Sequence, residues 1–371
     1  MPADGGKGDQ LRALQVIRAL AAGHAVEVVT TGAGSRVAGA EAEIAAIARL
    51  VVRRATPLAR LASAAGAVAR GQPAQVGWMM PGRAWRTARR RASDADVVVA
   101  ITVRALRGPA PKPVVLDHVD ALSLNMRRRA AGPEPVAVRL LARAEAALLR
   151  RWERRLARSA AVQAAISSAD AAHLPPAPLV HVVPNSVDLP GAPPPGAAGR
   201  DIDVVLTGNM AYPPNADAAR WLSDEIAPAL WRRRPGASVW VVGRDAGRLA
   251  LDPRIEVRAD VPDLAAYLSR ARLALAPLRI GTGAPNKVLE AMAAGAAVVA
   301  TPSAVAPFER AGAFATAAGA EAIAAAADRL LGDEEQRLQL TREAWRLVAA
   351  YGAGAQRERL ERLVREALRR A

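Results

Sequence analysis

The chain has no cysteine, only two Phe and three Tyr, and no signal-like apolar start. Without cysteine there are no disulfides and no thiolate metal sites. So few aromatics argue against a base-stacking nucleic-acid platform. No apolar run reaches the roughly 18 residues that a membrane span requires. MPADGGKGDQ at the start has no apolar core, so it does not read as a signal peptide, and the expected location is cytoplasmic. What the chain does have is Ala, Val and Leu in abundance, within a hydrophobic content of 51% over 371 residues. That is enough for two close-packed α/β domains.

Net charge is +16, almost all of it from arginine. Alongside so much alanine, glycine and proline, the arginine reads mainly as compositional bias and a solvated surface. An anionic partner (phospholipid, lipid diphosphate or nucleotide) is the competing reading.

The most informative stretch runs from Ala274 to Pro302. Leu273 to Leu278 reads as a buried parallel strand. A loop with Gly281, Thr282 and Gly283 follows, and Lys287 to Ala294 has helical apolar spacing that Gly295 stops. Val298 and Val299 begin another strand. Strand, glycine loop and helix start form a phosphate-holding arrangement, because loop amides and the helix dipole both favour an anion. Lys287 in the first turn is poor for the dipole but useful to a diphosphate. Glu290, about one turn on, is placed to accept hydrogen bonds from a ribose diol. Two glycines in an α/β loop are by themselves a weak signal.

In chain order, Leu11, Leu14, Ile17 and Leu20 mark a helix ended by Gly23, and Ala25 to Thr30 is a strand. This is half of a βαβ unit, and the strand expected before its glycine loop is missing. Ile44 to Ala69 reads as one alanine-rich helical region broken at Pro57. Asp94 and Asp96 imitate an acidic metal pair but lead straight into a strand, so a turn is the better reading. Pro113 to Asp117 is a strand whose tail sets His118, Asp120 and Ser123 at a carboxyl end, where open parallel sheets seat ligands. His118 reads equally as a substrate contact or a satisfied loop histidine. Pro135 to Ser159 is the longest helix, with Leu141, Glu145, Leu148, Trp152 and Leu156 on one stripe. A core-facing helix with a solvated arginine face outweighs a basic helix lying on an anionic membrane. The Pro/Gly run from Leu189 to Arg200 divides the chain. The expected domains are 1–188, a linker at 189–200, a second domain at 201–350, and a helix at 351–371 returning to the first.

With these pieces placed, the chain resembles retaining nucleotide-sugar glycosyltransferases of the GT-B fold, the group 1 or family 4 type that includes exopolysaccharide and lipopolysaccharide enzymes. The resemblance rests on TGNMAYPPNADAARWL (207–222), VVGRD (241–245) and the segment from Val257 to Pro302. In the first half it rests on GGKGDQLRALQVIRAL, DHVDALSLN and VHVVPNSVD. It implies an α/β protein of two Rossmann-like domains whose parallel sheets face a cleft, with C-terminal helices crossing back. It implies a donor site at Gly208, Asn209, Gly243, Arg244, Val261, Gly281, Thr282, Gly283, Ala284 and Glu290, and a cleft loop at Gly5, Gly6 and Asp9. Thr282 stands where the family often has an acidic residue that contacts the donor sugar. Asn209 and Met210 stand where relatives often have phosphate-neutralising cations, so Lys287 and Arg244 are the substitutes on charge grounds. His118 and Asp120 are the acceptor-side candidates, grouped with Lys287 as catalytic. The nucleotide-sugar is substrate, no further cofactor or metal is expected, and the acceptor is a polysaccharide, a lipid-linked glycan or a small molecule. Peripheral contact with an anionic membrane fits these expectations, and nucleic acid does not. Two alternatives stay open: a nucleotide-sugar 2-epimerase of the same fold, and a catalytically degenerate anion-binding protein.

Overall fold

The computed structural model describes residues 8–31, 37–132, 135–191, 199–279, 285–308 and 312–370. The chain forms two compact units, one of Met1–Asn185 with Gln356–Ala371 and the other of Ser186–Ala355. Among the described residues no helix is long and apolar enough to cross a membrane.

The first unit opens on α1 (Gly8–Ala21), which buries Leu14, Val16, Ile17 and Leu20 and ends where Gly23 and His24 donate to the Leu20 carbonyl. β1 (Glu27–Thr30), α2 (Val37–Ile47) and β2 (Arg49–Val52) make a βαβ unit with β1 and β2 paired in parallel. This corrects the single helical region expected from Ile44 to Ala69. Leu50, Val51 and Val52 favour an extended edge partner for β1, and Pro57 begins the next helix rather than breaking one. Thr56 caps that helix, α3 (Pro57–Val68), by accepting from the Ala59 amide at 3.3 Å, and Pro57 suits a first turn that has no amide to satisfy. α4 (Ala74–Met79) and the arginine-rich α5 (Gly82–Ala92) follow.

A four-stranded parallel sheet then forms in chain order from β3 (Val98–Ile101), β4 (Val114–Asp117), β5 (Val162–Ala165) and β6 (Val180–Val182). Between β4 and β5 lie α6 (Leu122–Ala131) and α7 (Val136–Ala157), and α8 (Ser168–His173) precedes β6. The buried stripe of α7 is Ala142, Ala146, Leu149, Trp152, Glu153 and Leu156. Leu141, expected on that stripe, is 71% exposed. Ala142, Ala146 and Leu149 are buried where Leu141, Glu145 and Leu148 were expected, while Trp152 and Leu156 belong to both patterns.

The second unit is a single six-stranded parallel sheet. In chain order it comprises β7 (Ile202–Thr207), β8 (Val239–Gly243), β9 (Glu256–Ala259), β10 (Ala271–Ala276), β11 (Ala297–Ala300) and β12 (Ala315–Thr316). Its spatial order is β12-β11-β10-β7-β8-β9. α9 (Pro213–Trp221), α10 (Ala227–Arg233), α11 (Leu264–Arg270), α12 (Asn286–Ala293), α13 (Pro302–Val305), α14 (Ala320–Gly332) and α15 (Glu334–Val348) complete it. Leu206, Val241 and Leu275 are among the buried strand residues of its large core. Strand order reverses between β7 and β10, so their carboxyl ends flank the switch point where open parallel sheets bind ligands.

The last helix, α16 (Ala353–Arg369), rejoins the first unit, where Leu360, Leu363, Val364 and Ala367 pack with Val16 and Leu20. Leu368 of the same helix is 43% exposed.

Candidate functional site

At the switch point of the second unit, Gly208 follows β7 with φ 151° and Gly243 ends β8 with φ 140°. Both conformations favour glycine, and contact enforces it. A Cβ on Gly243 would lie 2.1 Å from the Gly208 carbonyl oxygen. The loops after β7, β8 and β9 are sewn together by the amide of Gly208 donating to Val242 O (3.1 Å), that of Met210 to Arg244 O (2.8 Å) and that of Asp260 to Gly243 O (3.1 Å). Val261 therefore sits beside the end of β8.

From the far side of the switch point, α12 sends Lys287 across. Its Nζ donates to Asn215 Oδ1 at 2.8 Å, and Asn215 Nδ2 donates to the Asn209 carbonyl at 3.0 Å. A Cβ on Gly208 would come within 3.2 Å of that Nζ. The ammonium thus occupies the end of β7, although its Cα belongs to a helix 79 residues further along. Lys287 and Glu290 are both half-buried. Burial lowers the Lys287 pKa to about 8, opposed by the Glu290 charge. Burial raises Glu290, opposed by Lys287. Among the described residues no hydrogen bond reaches the Glu290 carboxylate. Arg244 contributes its backbone carbonyl here, and its side chain has no partner among the described residues. Gly281, Thr282, Gly283 and Ala284 lie outside the described residues, as do Gly5 and Gly6.

In the first unit the carboxyl ends of β3 and β4 carry backbone strain. Thr102 and Val119 have φ 65° and 66°, rare for β-branched residues and typical of constrained sites. Asp117 holds this edge from below. Its carboxylate accepts from the buried Arg12 Nε at 2.9 Å and from the Val119 amide at 2.9 Å, while Arg12 also donates to Pro184 O at 2.8 Å. Asp120 is half-buried and accepts from Asn125 Nδ2 at 2.5 Å. Burial pushes its pKa up to about 6, helped by the Asp170 charge and opposed by Arg104. Arg104 pairs with Asp9 at 2.7 Å. The fold therefore gathers Asp9 and Asp120 around a cation that the sequence reading missed, although Arg104 follows β3 at the same carboxyl edge. His118 is only 1% exposed and bonds Gln163 at 2.8 Å, and burial takes its pKa down to about 4. It is a neutral ring within the unit at ordinary pH. Ser123 is buried as well, donating from backbone and hydroxyl to Glu153 at 3.0 and 2.6 Å.

Residues 201–333 match the family model of glycosyl transferases group 1. The second unit thus carries a segment of the group 1 glycosyltransferase type. Among solved structures, the chain aligns with Anabaena Alr3699/HepE in complex with UDP-glucose at 15% identity and TM-score 0.67, covering 98% of this chain and 97% of that one. WaaG, a glycosyltransferase involved in lipopolysaccharide biosynthesis, aligns at 17% identity and TM-score 0.60 over 95% and 94% of the two chains. A glycosyltransferase from Rickettsia africae ESF-5 aligns at 12% identity and TM-score 0.60 over 100% and 97%. At these identities the likeness establishes the GT-B fold. No curated protein matches the sequence.

Proposed function

We propose that this enzyme transfers a sugar from a nucleoside-diphosphate donor to a hydroxyl acceptor with retention, and that the donor lies on the second unit. The observation that carries the reading is the Lys287–Asn215–Gly208 contact at the switch point. It brings a cation to the end of β7, where a departing diphosphate would develop charge, although the loop after β7 has none of its own. In the transfer, the bond from the anomeric carbon to the diphosphate oxygen breaks and a bond to the acceptor oxygen forms. The hydroxyl proton leaves to the diphosphate or to a nearby carboxylate. Lys287 would stabilise the leaving group in a water-poor setting, where such a charge acts most strongly, and Glu290 would accept the ribose hydroxyls. A bound diphosphate would keep Lys287 protonated. Asp120 and Asp9 with Arg104 form the acceptor-side group, and positioning supplies the rest of the acceleration.

Thermal-shift screening with UDP-, GDP- and TDP-sugars tests this reading, beginning with UDP-glucose because HepE is seen with it. One of these donors should stabilise the protein, and Glu290→Ala should weaken that donor by about 10- to 100-fold, as expected for a lost charged hydrogen bond. If no sugar nucleotide stabilises the wild type, the reading falls.

A further inference from the structure

A second bridge crosses the switch point besides the Lys287–Asn215 contact. Arg279 follows the end of β10, and its Nε and Nη2 donate to Oδ2 and Oδ1 of Asp217 on α9 at 3.0 and 2.6 Å. Its guanidinium carbon lies 4.9 Å from the ring centroid of the buried Trp221, one turn further along α9. That ring is held in turn, because Trp221 Nε1 donates to Glu225 Oε2 at 3.1 Å. The bond to Asp217 raises the Arg279 pKa above its ordinary value.

Exposed ion pairs usually add little stability, since two long side chains must be ordered to form them. This pair differs in its geometry and in its place. Two parallel bonds fix the planes of both groups, and the indole supports the face of the guanidinium. It also joins the exit of β10 to the helix that follows β7, and those two strand ends flank the crevice. Other arginine pairs of this unit lie elsewhere. Arg254 pairs with Asp252 two residues away, and Arg270 pairs with Asp201 where β7 begins.

The exit of β10 is fixed from its other side as well. Leu278 O accepts from Thr301 Oγ1 and Ser303 Oγ, each at 2.7 Å, and the Thr301 amide donates to Ala276 O at 3.2 Å. The end of β11 therefore holds one side of this segment and α9 the other. Arg279 and Lys287 are the cations on either side of Gly281 and Gly283 in the sequence, and both are anchored on α9. Asp217 neutralises Arg279, so this bridge leaves Lys287 as the cation offered to a ligand.

We propose that Asp217 and Arg279 are a positioning pair that holds the exit of β10 against α9 and so preorganises the crevice for the donor. Their contribution is order present before binding, which the donor then need not impose. The inference rests on the donor reading above.

The test uses the full chain and the sugar nucleotide that stabilises the wild type. By titration calorimetry, Asp217→Asn and Arg279→Ala should each raise the donor Kd about tenfold, with Tm lowered by about 2 °C or less. The double variant should lose no more than either single one, because all three remove one pair. Asp217→Glu keeps the carboxylate and should recover most of the loss. Trypsin reads the bridge without donor, since it must take the arginine side chain into its own pocket. Initial cleavage after Arg279, followed by mass spectrometry, should be about tenfold faster in Asp217→Asn, while cleavage after the exposed Arg83 stays the same. Faster cleavage with an unchanged donor Kd would overturn the positioning role and leave the donor reading standing. Tighter binding by Asp217→Asn would overturn it by making Arg279 a phosphate ligand that Asp217 restrains. Additive losses in the double variant, or equal cleavage after Arg279, would also overturn it. A wild type that binds no sugar nucleotide sinks the donor reading and this proposal together.

Discussion

The two units solve the same architectural problem differently. The second lays six strands in one sheet over one large core, carries a balanced charge, and concentrates its lysine, carboxylate and glycines at a single switch point. The first divides its strands between a two-stranded and a four-stranded sheet, packs several smaller cores, and holds all of the excess positive charge. It also contains the buried Arg12–Asp117 pair and the strained Thr102 and Val119. A unit that recognises a shared chemical group can keep a regular sheet whose strand ends do the work. The family model reaches only the second unit.

The contrast predicts that the first unit depends on a buried ion pair where the second depends on packing. Arg12→Ala leaves Asp117 charged and buried, and should cost about 3–5 kcal/mol in urea unfolding. If Arg12→Ala unfolds like the wild type, the idea that charge holds the first unit is wrong. The next largest effect falls in the second unit and concerns rate rather than stability. Lys287→Ala should lower kcat by about 10²- to 10³-fold, the usual scale for removing one preorganised group from a developing anion. With its pKa near 8 in the free enzyme, Lys287 should also impose a fall in kcat/KM as pH rises through about 8. Lys287→Arg should move that fall to higher pH. A flat alkaline profile in the wild type would remove the lysine from the step.

These differences also explain what could be read from the chain. The α/β class was legible because apolar strands such as Val204 to Leu206 and Val298 to Ala300 are bounded by glycine, proline or polar residues. The glycine loop and the start of α12 marked Lys287 and Glu290. Less legible were features that depend on distant partners. β2 was hidden inside alanine-rich sequence because only its pairing with β1 makes Leu50 to Val52 a strand. The face of α7 was misread because Ala142 and Ala146 are buried there while Leu141 is exposed. Asn215 lies in the first turn of α9, and its bond to Lys287 spans 72 positions. Arg104 gave no motif at all, and its meaning comes from Asp9 and Asp120 arriving beside it.

The smallest predicted effect probes that last cluster. Because folding raises the Asp120 pKa from an ordinary 3.8 to about 6, the native state holds this proton more tightly than the unfolded chain does. Stability should therefore fall as pH rises from about 4 to about 6, with the full penalty present above 6. Asp120→Asn removes the penalty while keeping an oxygen for Asn125. The variant should be more stable than the wild type at pH 7 by about 1 kcal/mol, after allowance for partial solvent screening, and no more stable at pH 4. The same substitution should reduce transfer if the proposed acceptor-side role of Asp120 holds, since it deletes the carboxylate beside Arg104. Gain of stability with loss of turnover would mark Asp120 as a residue retained at an energetic cost for function. Loss of both would make it one more structural charge in the unit that Arg12 and Asp117 hold together.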